Sequence, residues 1–337
     1  MFILSEEYFY KNIIKFNIDE IQETIVYKDK YYNSFWIPKS NGKRKISGID
    51  QNSDLFLMQE NILHNFLAKV QLPLCAKGFV KHNSYINYLQ EHINKKFYMR
   101  MDIKNFFDTI TIQQIEESLS EFIKTPKVLN YLVELCTLND KLPQGAVTSP
   151  AVSNIIFRRI DQRITKYCQK FDINYTRYAD DLLFSSNKLN FKEEKWFYKK
   201  VKYILKENGF ESNYSKRHME SKKMCLGGYV IEKDIHLSRK KLKVLNTILY
   251  YFKDKSNSNK YVIDSTILKR DYIDEINKMQ IKDGRNSKKI FSNKMELINY
   301  LCGYRSFLIS IVKNNDNSKK SLIKKIMQIE ILIKALE

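Results

Sequence analysis

Apolar and polar residues follow two different periods along this chain, and the change between them falls at turn residues. Over 5–26, Ile13, Ile14, Phe16, Ile18, Ile21 and Ile25 recur at helical spacing and predict one or two amphipathic helices. "YYNSFWIPKSNGKRKISGID" then switches to strand residues broken at Asn41-Gly42, which predicts a hairpin with Lys39, Lys43, Arg44 and Lys45 at its tip. Helical spacing returns over 54–69, with Asp54 near the start. It returns again after a loop carrying Gly78 and Lys81, where Asn83 or Ser84 offers the cap. His92 falls on that helix and is assigned a structural role.

Phe97 to Ile103 predicts a strand with Asp102 at its end, just before Phe106-Phe107. Two helices separated near Pro126 occupy 111–138, and a longer one runs from about Pro150 to Gln169, with the proline in its first turn. "YTRYADDLLFS" has strand-forming residues on both sides of Asp180 and Asp181, so it predicts paired, buried strands with the two aspartates at the tip. A helix over 190–208, a turn at Gly209, a strand holding Lys216 and a hairpin around Gly227-Gly228 follow. From Ser238 onward the pattern is helical, over 238–252, about 262–280, 292–312 and 319–336, with loops at 253–260 and 282–289. There is no internal repeat. The class is α+β.

The candidate chemistry lies where the strands end. Two like charges at the tip of an apolar hairpin cost free energy unless a cation neutralises them. An isolated Asp-Asp pair is most often a polar turn. Asp102 changes the balance, because a carboxylate ending a buried strand needs a partner too. Hard oxygen ligands with few His or Cys nearby favour Mg²⁺. Three such carboxylates side by side could hold two Mg²⁺ ions about 3.5–4 Å apart, the arrangement used in nucleotidyl transfer. Gln144-Gly145, in a loop bounded by proline and glycine, offers an amide and a bare backbone suited to a flat ligand such as a base pair.

Composition narrows the partner. The 337 residues are 43% hydrophobic with 22 Tyr and 20 Phe, enough for a large folded core. Net charge is +20, which points to a polyanion: nucleic acid first, an anionic membrane surface second. From Leu237 to Glu337, 22 Lys+Arg against 10 Asp+Glu leave +12. No segment reaches the roughly 18–20 apolar residues of a membrane span, and the first residues lack the layout of a signal peptide. Five scattered cysteines form no C-x-x-C pair, which predicts reduced thiols in a cytoplasmic protein and no zinc site.

In order along the chain, "GKRKI", "GFVKHNS", "DIKNFFD", "LPQGAVTSPAVSN", "YTRYADD", "GFESNYSK" and "LGGYVI" resemble the motifs of bacterial reverse transcriptases of the retron, group II intron and defence-associated group. The resemblance covers roughly residues 30–250. It implies a right-hand fold, with N-terminal helices over 1–30, fingers and palm over 31–235, and a basic, RNA-binding helical thumb over 236–337. It implies two Mg²⁺ ions held by Asp102, Asp180 and Asp181, with the Ile103 carbonyl as a backbone ligand. By the same resemblance Phe107 crowds a ribose 2′-hydroxyl, and Gln144, Gly145 and either Arg44 or Lys45 line the nucleotide pocket. Lys216 stands near the departing pyrophosphate, Tyr178-Ala179 near the primer terminus, and Leu226-Gly227-Gly228 grip the primer. Arg239, Lys240, Lys241, Lys319, Lys320, Lys324 and Lys325 would bind RNA from the thumb.

The implied partners are a structured noncoding RNA, its DNA product, deoxynucleoside triphosphates and an accessory effector protein, with no membrane. Two departures bear on the subgroup. Only His92 survives of the retron Asn-Ala-x-x-His, at Tyr88, Leu89 and His92, and Leu226-Gly227-Gly228 replaces Val-Thr-Gly. Retron and other defence-associated enzymes therefore both fit, the latter with untemplated or protein-primed synthesis. An RNA-directed RNA polymerase and a non-catalytic RNA scaffold are the rival functions.

Overall fold

The computed structural model describes residues 2–39, 42–252, 272–282, 291–313 and 319–337. Asn41, the loop predicted at 253–260, most of that at 282–289 and the first part of the helix predicted at 262–280 lie outside the described residues, as do the side chains of Lys39, Lys240 and Lys319. The chain divides into two compact units, Met1–Lys222 and Lys223–Glu337.

The first unit opens with a short helix α1 (Glu6–Tyr8) that passes into a wider turn over Phe9–Ile14, then α2 (Ile18–Val26). Asn17 and Glu20 cap α2 reciprocally, each side chain accepting from the other's backbone N–H. The predicted hairpin is β1 (Tyr32–Lys39) and β2 (Gly42–Ile49), with Trp36 opposite Lys45 and Ile37 opposite Arg44. Ser53 caps α3 (Asp54–Asn65). Of the two candidates for the next cap, Ser84 is the one used, for α4 (Tyr85–Gln90).

Four strands form the central sheet: β3 (Phe97–Asp102), β4 (Ile173–Tyr178), β5 (Asp181–Ser186) and β6 (His218–Ser221). Their order is β4-β5-β3-β6 and every pairing is antiparallel. Leu182, Leu183 and Phe184 of β5 are fully buried although they point to alternate faces, so the sheet is covered on both sides there. Around it stand α5 (Ile112–Leu119), α6 (Pro126–Cys136), α7 (Ser149–Gln169) and α8 (Lys195–Glu207). Two expectations are corrected here. The helix expected from 190 begins at Lys195, because Asn190 closes a turn first, its carbonyl accepting from Glu193 and Glu194. Lys216 is not in a strand: it ends a tight turn over Tyr214–Lys216, and β6 starts at His218.

The second unit begins with a three-stranded meander, β7 (Met224–Leu226), β8 (Tyr229–Ile231) and β9 (Ile235–Leu237), where the sequence predicted a single hairpin. Helices α9 (Arg239–Tyr251), α10 (Tyr272–Lys282), α11 (Lys294–Lys313) and α12 (Lys319–Leu336) follow. Leu245, Ile248, Phe252, Ile276, Leu297, Leu301, Leu308 and Ile329 are buried in this unit. The meander belongs with these helices because its tip packs on them. Tyr229 meets the Phe307 ring at 4.3 Å, and a side chain at Gly228 would strike Lys241. The division therefore falls ahead of the boundary at 235 expected from sequence.

Candidate active site

The sheet register builds the site. Asp102 ends β3 directly opposite Asp181, and Tyr178 pairs with Asp181 across the β4–β5 hairpin. That leaves a two-residue turn, Ala179-Asp180. The tip thus carries Asp180 alone, and Asp181 is the first residue of β5, a correction to the expected paired tip. The turn is tight enough to hold Ala179 at φ +55°, a left-handed conformation that costs a residue with a Cβ about 1–2 kcal/mol.

The three carboxylates have different surroundings. Asp102 is 4% exposed, and both its oxygens accept from Lys216 Nζ, at 2.9 and 3.1 Å. Asp180 has its carboxyl pushed above the ordinary value, first by burial and then by Asp102, while Lys216 and Arg44 pull it back. Asp181 is raised to about 6, chiefly by burial, against the opposing pull of Arg100. Arg100 donates to Asp181 Oδ1 from Nε at 2.9 Å and Nη2 at 2.5 Å.

Asp102 and Asp180 line a cleft of about 350 Å³, and Asp181 does not. Lys43, Arg44, Lys45, Lys104 and Lys216 also line it, so the carboxylate floor faces a set of cations. Phe107 lines it with Phe106 and Phe79, at ring separations of 5.3 and 6.3 Å. The Ile103 N–H donates to the Asp180 carbonyl at 2.9 Å, which ties the turn to the end of β3. Tyr178 lies outside the cleft, packed against Tyr85, Tyr88 and Phe79.

Gln144 lines the cleft, and Gly145 does not. The Ser47 N–H donates to the Gln144 carbonyl at 2.8 Å. Gly145 sits at φ +127°, and a Cβ there would come 2.6 Å from the Ser47 carbonyl oxygen. Its bare backbone admits β2 of the hairpin, a close approach that the sequence did not predict. His92 is buried between Ser185 and Thr176 at 2.7 and 2.8 Å, and desolvation pushes its ring down to about 3. It is neutral and structural, as expected.

Sequence reasoning missed the network under the turn. Arg177 is fully buried and donates to Asp161, to Asn154 Oδ1 at 3.0 Å and to the Ala179 carbonyl at 3.1 Å. Tyr175 donates to Asp161, and Asn154 donates to the Gly78 carbonyl at 2.9 Å. A Cβ on Gly78 would lie 2.5 Å from the Ala179 nitrogen. This network holds the turn from below. Its signals were present: an arginine inside an apolar strand, and Asn154 and Asp161 seven apart, on one face of α7.

In the second unit, Gly227 and Gly228 form the β7–β8 turn after Leu226, both at positive φ. Arg239, Lys320 and Lys324 are exposed. Lys241 instead lays its ammonium over the Phe307 ring at 4.3 Å, and Lys325 donates to Asn246 Oδ1 at 2.6 Å. The basic side chains expected to face RNA together are thus divided between solvent and packing.

The donor chemistry fits a divalent cation of the Mg²⁺ kind. Among the described residues no three Asp, Glu, His or Cys side chains form a closed metal cage. Mg²⁺ is commonly held by one or two carboxylates together with substrate phosphates and water, and not by such cages. The floor supplies two carboxylates, and the Lys216 ammonium on Asp102 marks a place where positive charge is accommodated.

An antiparallel palm sheet with two carboxylates at its strand ends, under a basic cleft, defines a template-copying polymerase of the right-hand class. Residues 37–260 match the family described as reverse transcriptase (RNA-dependent DNA polymerase), and the chain belongs to it. Its relatives include the retron Ec86 reverse transcriptase of Escherichia coli, 25% identical over 296 residues, covering 81% of this chain and 88% of that one. The retron Mx65 reverse transcriptase of Myxococcus xanthus is 25% identical over 245 residues, 66% of this chain and 56% of its own. A telomerase structure from Candida albicans, in complex with a fragment of telomeric RNA, aligns with 90% of this chain and 64% of its own. Its TM-score is 0.44 at 12% identity. No described helix is long and apolar enough to cross a membrane.

Proposed function

We propose that this reverse transcriptase copies a dedicated structured noncoding RNA into DNA, within a retron or another anti-phage defence system in the cytoplasm. The cleft carries the reading: Asp102 and Asp180 line it together with Lys43, Arg44, Lys45 and Lys216. Two Mg²⁺ ions supply, when bound, the Lewis acidity that favours attack by a primer 3′-hydroxyl and departure of pyrophosphate. Asp102 and Asp180 hold the charge for them, with the Ile103 carbonyl as a further oxygen. Asp181, directly opposite Asp102 and held by Arg100, completes the carboxylate set. Arg44, Lys45 and Lys216 pair with the triphosphate of the incoming nucleotide, where oriented donors match phosphate oxygens. Phe107 stands beside the sugar and disfavours a 2′-hydroxyl. Gln144 contacts the nucleotide, and Gly145 serves it by letting the hairpin dock. Tyr178-Ala179 border the primer terminus, and Leu226-Gly227-Gly228 hold the primer strand.

The retron names of the relatives and the +12 of the last hundred or so residues support a bound RNA as template. Arg239, Lys320, Lys324 and Lys325 are its contacts in the second unit, with Lys240, Lys241 and Lys319 supporting them by charge. An accessory effector protein completes the system. The experiment is to sequence and weigh the RNA recovered with purified protein, wild type against a variant with Lys319, Lys320, Lys324 and Lys325 changed to Glu. The variant is expected to carry much less of one defined RNA. Equal recovery of the same RNA would remove the second unit from recognition.

A further inference from the structure

Helices α9 and α12 bound a groove of about 380 Å³ within the second unit, apart from the polymerase cleft. That volume lies in the range of small-ligand sites. Two stripes face each other across it. On α9 the wall is Asn246 and Tyr250 with buried Leu249 behind them, and on α12 it is Lys324, Lys325 and Gln328. Tyr250 is 70% exposed, so a large ring face is left beside the amides, ammonium groups and Ser321 hydroxyl that line the groove. Lys325 is half-buried, and its one described partner is the neutral amide of Asn246. Among the described residues no carboxylate pairs with it. Burial alone pushes its ammonium below the usual lysine value, which is the state an incoming anion would relieve.

An exposed aromatic face, two amides and two cations are the complement of one nucleotide. Every base has a π-face that stacks on an aromatic ring, and its edge offers donors and acceptors that a primary amide matches. The Asn246 oxygen is engaged by Lys325, which leaves its N–H donors for a base acceptor. A paired base cannot enter, because its faces and pairing edge are already covered in the duplex. Arg239 and Lys243 continue the α9 stripe, at positions 239, 243, 246 and 250, so the phosphates of a continuous chain have somewhere to run. A free mononucleotide would use neither.

We infer that this groove receives one unpaired nucleotide of the bound RNA, with the base on Tyr250, its edge on Asn246 and Gln328, and its phosphate on Lys324 and Lys325. The inference rests on the proposed function and specifies what the second unit recognises. The test uses the full-length protein and hairpin RNAs that carry a single bulged A, C, G or U, against the fully paired hairpin. Wild type is expected to prefer at least one bulged hairpin over the paired one. Tyr250→Ala should abolish that preference, weakening the bulged complex roughly 5- to 150-fold, the range of one base–aromatic stack. The paired complex should be unchanged, and Tyr250→Phe should keep the preference. If wild type binds bulged and paired hairpins alike, or Tyr250→Ala weakens both equally, the groove is not a nucleotide site. Failure of the function reading looks different, because there Lys320→Glu, a change outside the groove lining, would bind every hairpin as wild type does.

Discussion

Burial and the neighbouring Asp102 make the ionised side chain of Asp180 unfavourable in the metal-free fold. A carboxyl raised above its unfolded value destabilises the fold at pH above its folded value, and that penalty disappears below the unfolded one. Asp180→Asn should therefore raise the Tm of metal-free protein near neutral pH, and the gain should shrink as pH falls toward the unperturbed value of 3.8. A Tm difference independent of pH would contradict this. Asp181 is raised to about 6, chiefly by burial, so Asp181→Asn should also stabilise the metal-free protein near neutral pH, with the gain fading as pH falls toward 3.8. Arg100, left with a neutral amide as its partner, opposes that gain without cancelling it. Urea unfolding across that range measures it, and a variant less stable than wild type at neutral pH would mean that the Arg100 pair outweighs burial. With Phe107 beside the sugar, as proposed, Phe107→Val opens space there. Ribonucleotide use relative to deoxynucleotide should rise by roughly 10- to 200-fold, the worth of one or a few methylenes. An unchanged ratio would make Phe107 a packing residue only.

Among the elements, the Ala179-Asp180 turn is held by groups distant in sequence. Arg177 and Asp161 are both fully buried, so Arg177→Met leaves an unpaired carboxylate in the core and should cost about 3–5 kcal/mol. Circular dichroism against urea measures it, and a loss below about 1 kcal/mol would mean that Asp161 is satisfied elsewhere. The β4–β5 hairpin was legible in the sequence because long apolar runs flank the aspartates and only paired buried strands accommodate both. The split between Asp180 and Asp181 was not legible. It depends on which residue of β5 lies opposite Asp102, and a one-residue change of register would exchange their roles. The meander was read as one hairpin because strands of three residues are too short to display a period. Gly145 was recognised as special, but its approach to the Ser47 backbone was not legible, since nothing local tells a glycine near a ligand from one near another strand.

For the whole molecule, the net charge of +20 makes nucleic-acid binding a matter of counterion release as much as of shape. RNA affinity should fall steeply with salt, whereas the preference for a bulged hairpin should persist, because stacking is little affected by screening. Composition and charge disclosed the class of partner, and the ordered motifs disclosed the family. Neither disclosed that Lys241 is turned onto aromatic rings, because charge in a sequence carries no direction. Asp102 and Asp180, proposed to hold the metal ions in the cleft, should be indispensable to RNA-templated DNA synthesis. The most direct measurement is primer extension on an annealed RNA template with purified wild type, Asp102→Asn and Asp180→Asn, each with Mg²⁺ or EDTA and with deoxy- or ribonucleotides. Template-dependent deoxynucleotide incorporation by wild type in Mg²⁺ alone, and none by either folded variant, is the predicted result. Incorporation that needs no template, or that survives in Asp180→Asn, would contradict it.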